Sequence, residues 1–207
     1  MIGVMTTVRC SWTILLPRLT LATLFSLFAL FGDMAFGADP TIAVDVAQAG
    51  EGFIVDATMD VLVPQATAWD VLTDFDHMAA ILSNVKASKV TRRDGNIWIV
   101  RQEGVARFGL LAFSFESERE MRLEPTKRIL AKSLSGTLKR MESETKIAPI
   151  DQGIQIKYHA ELVPDSALAR MFGASFVRHE VEEQFLTMGR EMMQRQSRAV
   201  SAGKVSG

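Results

Sequence analysis

At Pro164 the spacing of the apolar residues changes, and that change limits the fold more than any other feature of the chain. Before it, Ile154, Ile156, Tyr158, Ala160 and Leu162 fall on one face of residues 154–162, with Gln155, Lys157, His159 and Glu161 on the other. A period of two marks a strand with one dry side. After it, Met171, Ala174, Val177, Val181, Phe185, Met188 and Met192 recur at spacings of three and four, opposite Arg178, Glu182, Glu183 and Arg190. This predicts one long amphipathic helix ending near residue 195. Asp165 or Ser166 is expected to cap it. Residues 197–207 are small and polar, and are expected to form a flexible tail.

The segment upstream of residue 154 reads mostly as strands. Residues 53–63 alternate, with Val55, Ala57, Met59, Val61 and Val63 against Asp56, Thr58 and Asp60. Pro64 ends that strand. Thr67-Ala68-Trp69-Asp70 has the spacing of a capping box, with Asp in place of Glu. Trp69, Val71, Leu72 and Phe75 then supply the apolar face of a short helix. Asp74 or Asp76 is expected to cap a second one carrying Met78, Ile81 and Leu82. Strands at 85–92 and 97–102 flank a tight turn at Asp94-Gly95. A longer strand at 105–118 sets Leu111, Phe113 and Phe115 against Ser114, Glu116 and Glu118. Strands at 120–124 and 128–135 flank Pro125-Thr126, and a strand at 138–147 puts Met141, Ser143 and Thr145 on one face. Residues 38–52 read as a loose lead-in. Short connections between strands imply an antiparallel sheet. The expected class is α+β: a curved antiparallel sheet of six or seven strands, two short helices after the first strand, and the long C-terminal helix over the dry face. One straight helix cannot fill a broad curved sheet, so a gap between them is expected.

The N-terminus is of a different kind. Arg9 and Arg18 precede an uncharged apolar stretch at residues 19–31, and Ala35-Phe36-Gly37 follows with small residues at the two positions a signal peptidase reads. The stretch is short of the roughly 20 residues that span a bilayer as a helix. Residues 1–37 are therefore read as a cleaved export signal, with an uncleaved membrane anchor as the alternative. Cleavage removes two arginines, Asp33 and the single cysteine Cys10, leaving 170 residues with a formal charge of -2. A cysteine-free chain suits the periplasm or the outside of the cell. The absence of a basic excess argues against a nucleic-acid partner.

The run Pro64-Gln65-Ala66-Thr67-Ala68-Trp69-Asp70-Val71-Leu72-Thr73-Asp74-Phe75 resembles the first helix of the superfamily that holds START-related proteins, polyketide cyclases and Bet v 1 allergens. Ser135-Gly136-Thr137-Leu138-Lys139-Arg140-Met141-Glu142, and the Gly153 turn before a tyrosine-bearing strand, extend the likeness. Within the superfamily the chain is most similar to the coenzyme Q-binding, cyclase/dehydrase-type START branch. The resemblance covers a domain at residues 53–196. It implies a helix-grip fold, an apolar cavity, and a lipid, quinone or polyketide-like ligand. It carries over no catalytic residue, because one such scaffold hosts transport, sensing and catalysis.

Site chemistry is sparse. His179-Glu180 opens like a zinc-protease helix, but Glu183 stands where the second histidine belongs, leaving fewer than the three ligands a catalytic zinc needs. His159 falls on the wet face of its strand. His77 lies near Asp74 and Asp76 and reads as a surface histidine beside a capping carboxylate. Arg92, Arg93, Arg101 and Arg107 are interleaved with acids and read as solvated surface. The dry faces carry Ser143, Thr145 and Tyr158 but no acid or base. No catalytic residue, metal or cofactor is expected. Met171, Met188, Met192 and Met193 cluster on the long helix, and methionine moulds to varied apolar ligands. The candidate ligand-binding residues are Phe113, Phe115, Met141, Tyr158, Phe176, Val181, Phe185, Met188 and Met192. The expected function is an exported binder or carrier of an apolar small molecule, with room for transient membrane contact and the oligomeric state left open. A cyclase or hydrolase acting on such a ligand, or a module that binds a protein in the same groove, are the alternatives.

If residues 1–37 are an export signal, the mature chain begins near Ala38. N-terminal sequencing of the exported protein checks this, and a membrane-bound product retaining Met1 or Met5 contradicts it.

Overall fold

Residues 39–164 and 173–205 are described by a computed structural model. The expected export signal with Cys10, the expected caps Asp165 and Ser166, and Met171 lie outside these described residues. Among them eight strands form one antiparallel sheet. They are β1 (Thr41–Ala49), β2 (Gly52–Val61), β3 (Val85–Asp94), β4 (Ile97–Phe108), β5 (Leu111–Glu124), β6 (Arg128–Gly136), β7 (Leu138–Pro149) and β8 (Ile154–Pro164). Helix α1 (Gln65–Leu72), a 3-10 turn (Phe75–His77) and α2 (Met78–Ile81) separate β2 from β3, and the long helix α3 (Ala174–Val205) follows β8. The strand order is β1-β2-β8-β7-β6-β5-β4-β3. The sheet, short helices and long C-terminal helix are those expected, with one strand more than the upper estimate.

That strand is β1. Residues 41–49 are not a lead-in: Ile42, Val44 and Val46 lie opposite Met59, Ala57 and Val55 of β2 and extend its dry face. As an edge strand it needs only one dry side, and Asp45 and Gln48 on exposed positions disguise it. The strand expected at 105–118 also divides. A hairpin turns at Gly109, whose φ of 59° is left-handed, so 105–108 complete β4 and 111–118 begin β5. At the other end the expected tail is helical to Val205. Its last turns bury no apolar stripe, so hydrophobic spacing does not reveal them. Ser201 Oγ donates to Ser197 O at 2.9 Å, and Arg198 reaches back to Glu191 at 3.1 Å.

The expected caps of the short helices are replaced by other bonds. Helix α1 begins at Gln65 behind Pro64 with no side-chain cap. Thr67 is inside the helix and bonds Gln196 of α3 at 3.2 Å. Asp74 does not cap the 3-10 turn. It accepts from His77 at 2.6 Å and from Arg195 of α3 at 2.7 Å. These bonds pin the short helices to the C-terminal half of α3.

The dry face is covered unevenly. Val55, Met59, Ile156 and Ala160, under α3 on β2 and β8, have 0% exposure and form one apolar cluster with Phe185, Met192, Val71 and β1. A second cluster joins Phe75, Met78 and Leu82 of the short-helix region to Val100, Met121, Leu123 and Met141. Trp69, Leu72, Leu162 and Met188 touch both clusters. Helix α3 packs mainly on β1, β2 and α1. Gly189 makes the close approach possible: a Cβ there would lie 2.8 Å from Pro40 Cγ and 2.9 Å from Met59 Sδ. Arg178 adds a bond to the carbonyl of Val44 and another to Asp45 at 3.2 Å. The helix thus leans on the β1–β2 side of the sheet, and β4 to β7 are reached chiefly by side chains.

Gly189→Val should therefore destabilise the protein by about 1–3 kcal/mol through overpacking, although valine is a better helix former than glycine. Chemical denaturation measures this; an unchanged or raised midpoint would mean that α3 is free to move off the sheet.

Candidate functional site

Strand register decides which side chains share the dry face with α3. Ala57 pairs with Tyr158, and Tyr158 with Thr145. Ala160 pairs with Ser143, and Ser143 with Ala131. On the far side Val100 pairs with Arg119, and Gln102 pairs with Ser117 and Ser88. Directly opposed residues point to the same side. A polar belt therefore crosses the dry face between the two apolar clusters: Ser88, Gln102, Arg119, Ser143, Thr145 and Tyr158.

Arg119 is the member that the sequence reading missed. Treating 118 and 120 as the ends of separate strands left residue 119 between them. Continuing the parity of Phe113 and Phe115 along one unbroken β5 leads to Arg119, then Met121 and Leu123. A β-bulge beside it, where Ser133 and Ser135 of β6 oppose Arg119 and Glu118, bends the sheet at this point. The expectation of a dry face without an ionisable base is thus corrected.

The guanidinium of Arg119 donates to Gln102 Oε1. Gln102, 7% exposed, donates through Nε2 to Ser88 Oγ at 3.0 Å, and Ser88 donates to the carbonyl of Phe75 at 2.5 Å. All these bonds run in one direction, so the amide of Gln102 is held with its oxygen toward the arginine. Arg119 Nε is buried and has no hydrogen-bond partner, and Arg119 makes no ion pair among the described residues. Burial lowers its proton affinity below the usual arginine value, and Tyr158 nearby opposes that. Burial raises the Tyr158 phenol, while a bond with Ser143 and the nearby Arg119 pull it down.

The apolar candidates surround this belt. Phe113 meets Phe176 edge to face at 6.4 Å between centroids, and Tyr158 meets Phe185 at 5.7 Å. Phe115 lies across Gly104 of β4: a Cβ at 104 would be 2.5 Å from its ring, so only glycine admits it. Phe113, Phe115, Tyr158, Phe176, Val181 and Met188 are partly accessible. Met141, Phe185 and Met192 are buried, Met192 completely, in the two clusters. Arg119, Ser143 and Thr145 also keep accessible surface, whereas Val55, Met59, Ile156 and Ala160 of β2 and β8 on the same face have none. The accessible part of the dry face therefore includes Phe113, Phe115, Arg119, Ser143, Thr145 and Tyr158.

At one end of α3 the zinc-like pair separates in role. His179 is exposed, 3.8 Å from Glu183. Glu180 is partly buried and accepts from Asn84 Nδ2 at 2.9 Å. This bond ties α3 to the approach to β3. Among the described residues no group of His, Cys, Asp and Glu is arranged to hold a metal. On the opposite face of the sheet, His159 is exposed and bonds Asp56 at 2.8 Å, beside a shallow depression of about 230 Å³ that Lys146 and Lys157 also line.

A sequence profile of the family described as polyketide cyclase / dehydrase and lipid transport matches residues 53–192. No curated protein sequence matches the chain. Among solved structures, a Thermus thermophilus protein is 14% identical, with a TM-score of 0.58 over 75% of this chain and 98% of that one. The Zhui aromatase/cyclase of a Streptomyces species is 14% identical, with a TM-score of 0.55 over 78% and 96%. A STAR-related lipid transfer protein fragment of Xanthomonas axonopodis is 10% identical, with a TM-score of 0.56 over 75% and 94%. At such identities the likeness is one of fold.

Glu180 gives the site a pH signature. Burial raises its carboxyl above the ordinary glutamate value and Glu183 adds to this, while Asn84, His179 and the Arg107 N–H pull it back. The folded chain then holds this proton more firmly than the unfolded one. Its contribution favours folding in acid and is lost as pH rises through the folded value. Glu180→Gln removes the titration. The stability of the variant relative to wild type should therefore rise between about pH 4 and pH 7 in chemical denaturation, and a difference flat in pH contradicts the assignment.

Proposed function

The chain belongs to the polyketide cyclase / dehydrase and lipid transport family, and on that premise we propose that it binds an amphipathic small molecule between the dry face and α3. The polar end of the ligand carries an oxyanion or a carbonyl oxygen and lies at Arg119. The rest, a lipid tail, an isoprenoid quinone or a polyketide-like ring, lies along Phe113, Phe115, Tyr158 and Met188. Arg119 is the observation that carries this reading. A cation inside a protein is costly unless it is paired and hydrogen-bonded. Among the described residues the chain gives this one the oxygen of Gln102 and no carboxylate. A ligand oxygen would supply the missing acceptor, and the planar fork of arginine suits two oxygens at once.

Binding or carriage is favoured over catalysis. Among the described residues the dry face holds no aspartate, glutamate or histidine that would take a proton, and Tyr158, with its phenol raised, keeps its own. The belt is rich in donors, which hold a carbonyl or an anion without transforming it. Export to the periplasm, through the signal at residues 1–37, completes the reading.

A fluorescent fatty-acid analogue displaced in turn by decanoate and by decanol tests it. Wild type should prefer decanoate by about ten- to hundredfold, the range for a hydrogen bond to a charged group. Arg119→Met, which keeps the apolar stem, should remove the preference and retain decanol binding. Equal affinity of wild type for the two, or no saturable binding of either, contradicts the proposal.

A further inference from the structure

The β4–β5 hairpin stands clear of the sheet. Strand β3 begins opposite Gly104, and the pairing of β6 with β5 stops at Ser117. From Val105↔Ser114 to Phe108↔Leu111 the two strands pair with each other alone. Four residues per strand project about 13 Å, at roughly 3.3 Å per residue. The projecting residues 105–114 include a single charge, Arg107, and the run from Phe108 to Phe113 is Phe-Gly-Leu-Leu-Ala-Phe. At the tip Leu110 is 104% exposed, whereas the other exposed large apolar side chains among the described residues do not pass 49%.

From this geometry we infer that the hairpin tip is a membrane-contacting element, which places Leu110 among the acyl chains of an anionic bilayer and Arg107 at its phosphates. The occupant follows from shape and charge. A convex apolar tip with a cation set behind it matches the layering of a bilayer surface, apolar below and anionic above. Arg107 is exposed and makes no ion pair among the described residues, so it is available to a phosphate. The acids at the root, Glu103 and Glu116, face Arg101 at 3.4 and 3.9 Å.

Strand pairing with a second copy of the chain fits less well, because the free edges of the ribbon are only a few residues long and end at roots that are already bonded. On the β4 side the N–H of Val105 donates to Asn84 O at 2.8 Å. On the β5 side Glu116 exchanges bonds with Thr137, its N–H to Thr137 Oγ1 and its carbonyl from Thr137 N, both at 2.9 Å. Such short edges are poor templates for another strand. Phe113 meets Phe176 of α3 at the base of the projection. The inference does not depend on what the interior binds.

Sedimentation with vesicles tests it, using the chain without residues 1–37 so that the N-terminal apolar run contributes nothing. The chain should bind vesicles of phosphatidylcholine with about 30 mol% phosphatidylglycerol, less to phosphatidylcholine alone, and less in high salt. Leu110→Asn should weaken binding about tenfold or more, from the loss of one buried leucine side chain. Arg107→Gln should weaken it about fivefold on the anionic vesicles only. Leu62→Asn, at an exposed leucine beyond the other end of the sheet, should bind as wild type does. Because Leu110 touches solvent only, its variant should keep the wild-type melting temperature. Wild type that fails to bind either vesicle overturns the inference, as does Leu110→Asn binding as wild type does. A wild-type dimer that Leu110→Asn converts to monomer, without vesicle binding, overturns it in favour of contact between copies.

Discussion

Helix α3 approaches β1 and β2 closely at Gly189, and the interior takes its form from that contact. With a hydrogen in place of a side chain, the helix backbone comes down onto Pro40 and Met59. It is held there by Arg178 on β1 at one end and by Arg195 on Asp74 at the other. A helix fixed along one side of an eight-stranded sheet cannot also cover the opposite side. Under the helix the interior is sealed, with Val55, Met59 and Ile156 fully buried. Farther across, Phe113, Phe115 and Met188 keep accessible surface. The asymmetry is thus a consequence of close packing on one side, where protein interiors tolerate almost no empty space.

Polar groups gather where the cover is incomplete. A serine, a glutamine and an arginine on β3, β4 and β5 would each be costly in a sealed core. Here they satisfy one another in a directed chain that ends on the carbonyl of Phe75. The chain couples three strands to the short helices, so the belt also holds the second apolar cluster in register. Arg119 Nε remains over. A buried donor without a partner costs about 1–3 kcal/mol. A ligand that supplied an acceptor would recover part of that cost on binding, beyond what burial of its own apolar surface contributes.

How much of this the chain discloses beforehand depends on the strength of each local pattern. Strands such as β8, dry on one face throughout, and the apolar stripe of α3 are plain from spacing, and with them the fold class. Strand β1 is hidden because its single dry face rests on three residues, Ile42, Val44 and Val46, among polar neighbours. The last turns of α3 are hidden because a helix beyond the core needs no stripe. The largest omission, Arg119, comes from a boundary: an arginine between two glutamates looks like surface, and only strand parity across the whole of β5 turns it inward. Glu180 is legible as a helix position, but its bond to Asn84 joins segments far apart in sequence and appears only in three dimensions.

The central claim is that Arg119 meets the polar end of a ligand inside the protein. Nitrogen-15 NMR of the arginine Nε–H groups during a titration with decanoate measures this at the atom concerned. A single buried Nε–H resonance, assigned by its loss in Arg119→Lys, should move downfield and become protected from solvent exchange as ligand is added, saturating with the binding isotherm. If that resonance stays in place while decanoate binds, the ligand lies elsewhere and the arginine serves only the internal hydrogen-bond chain.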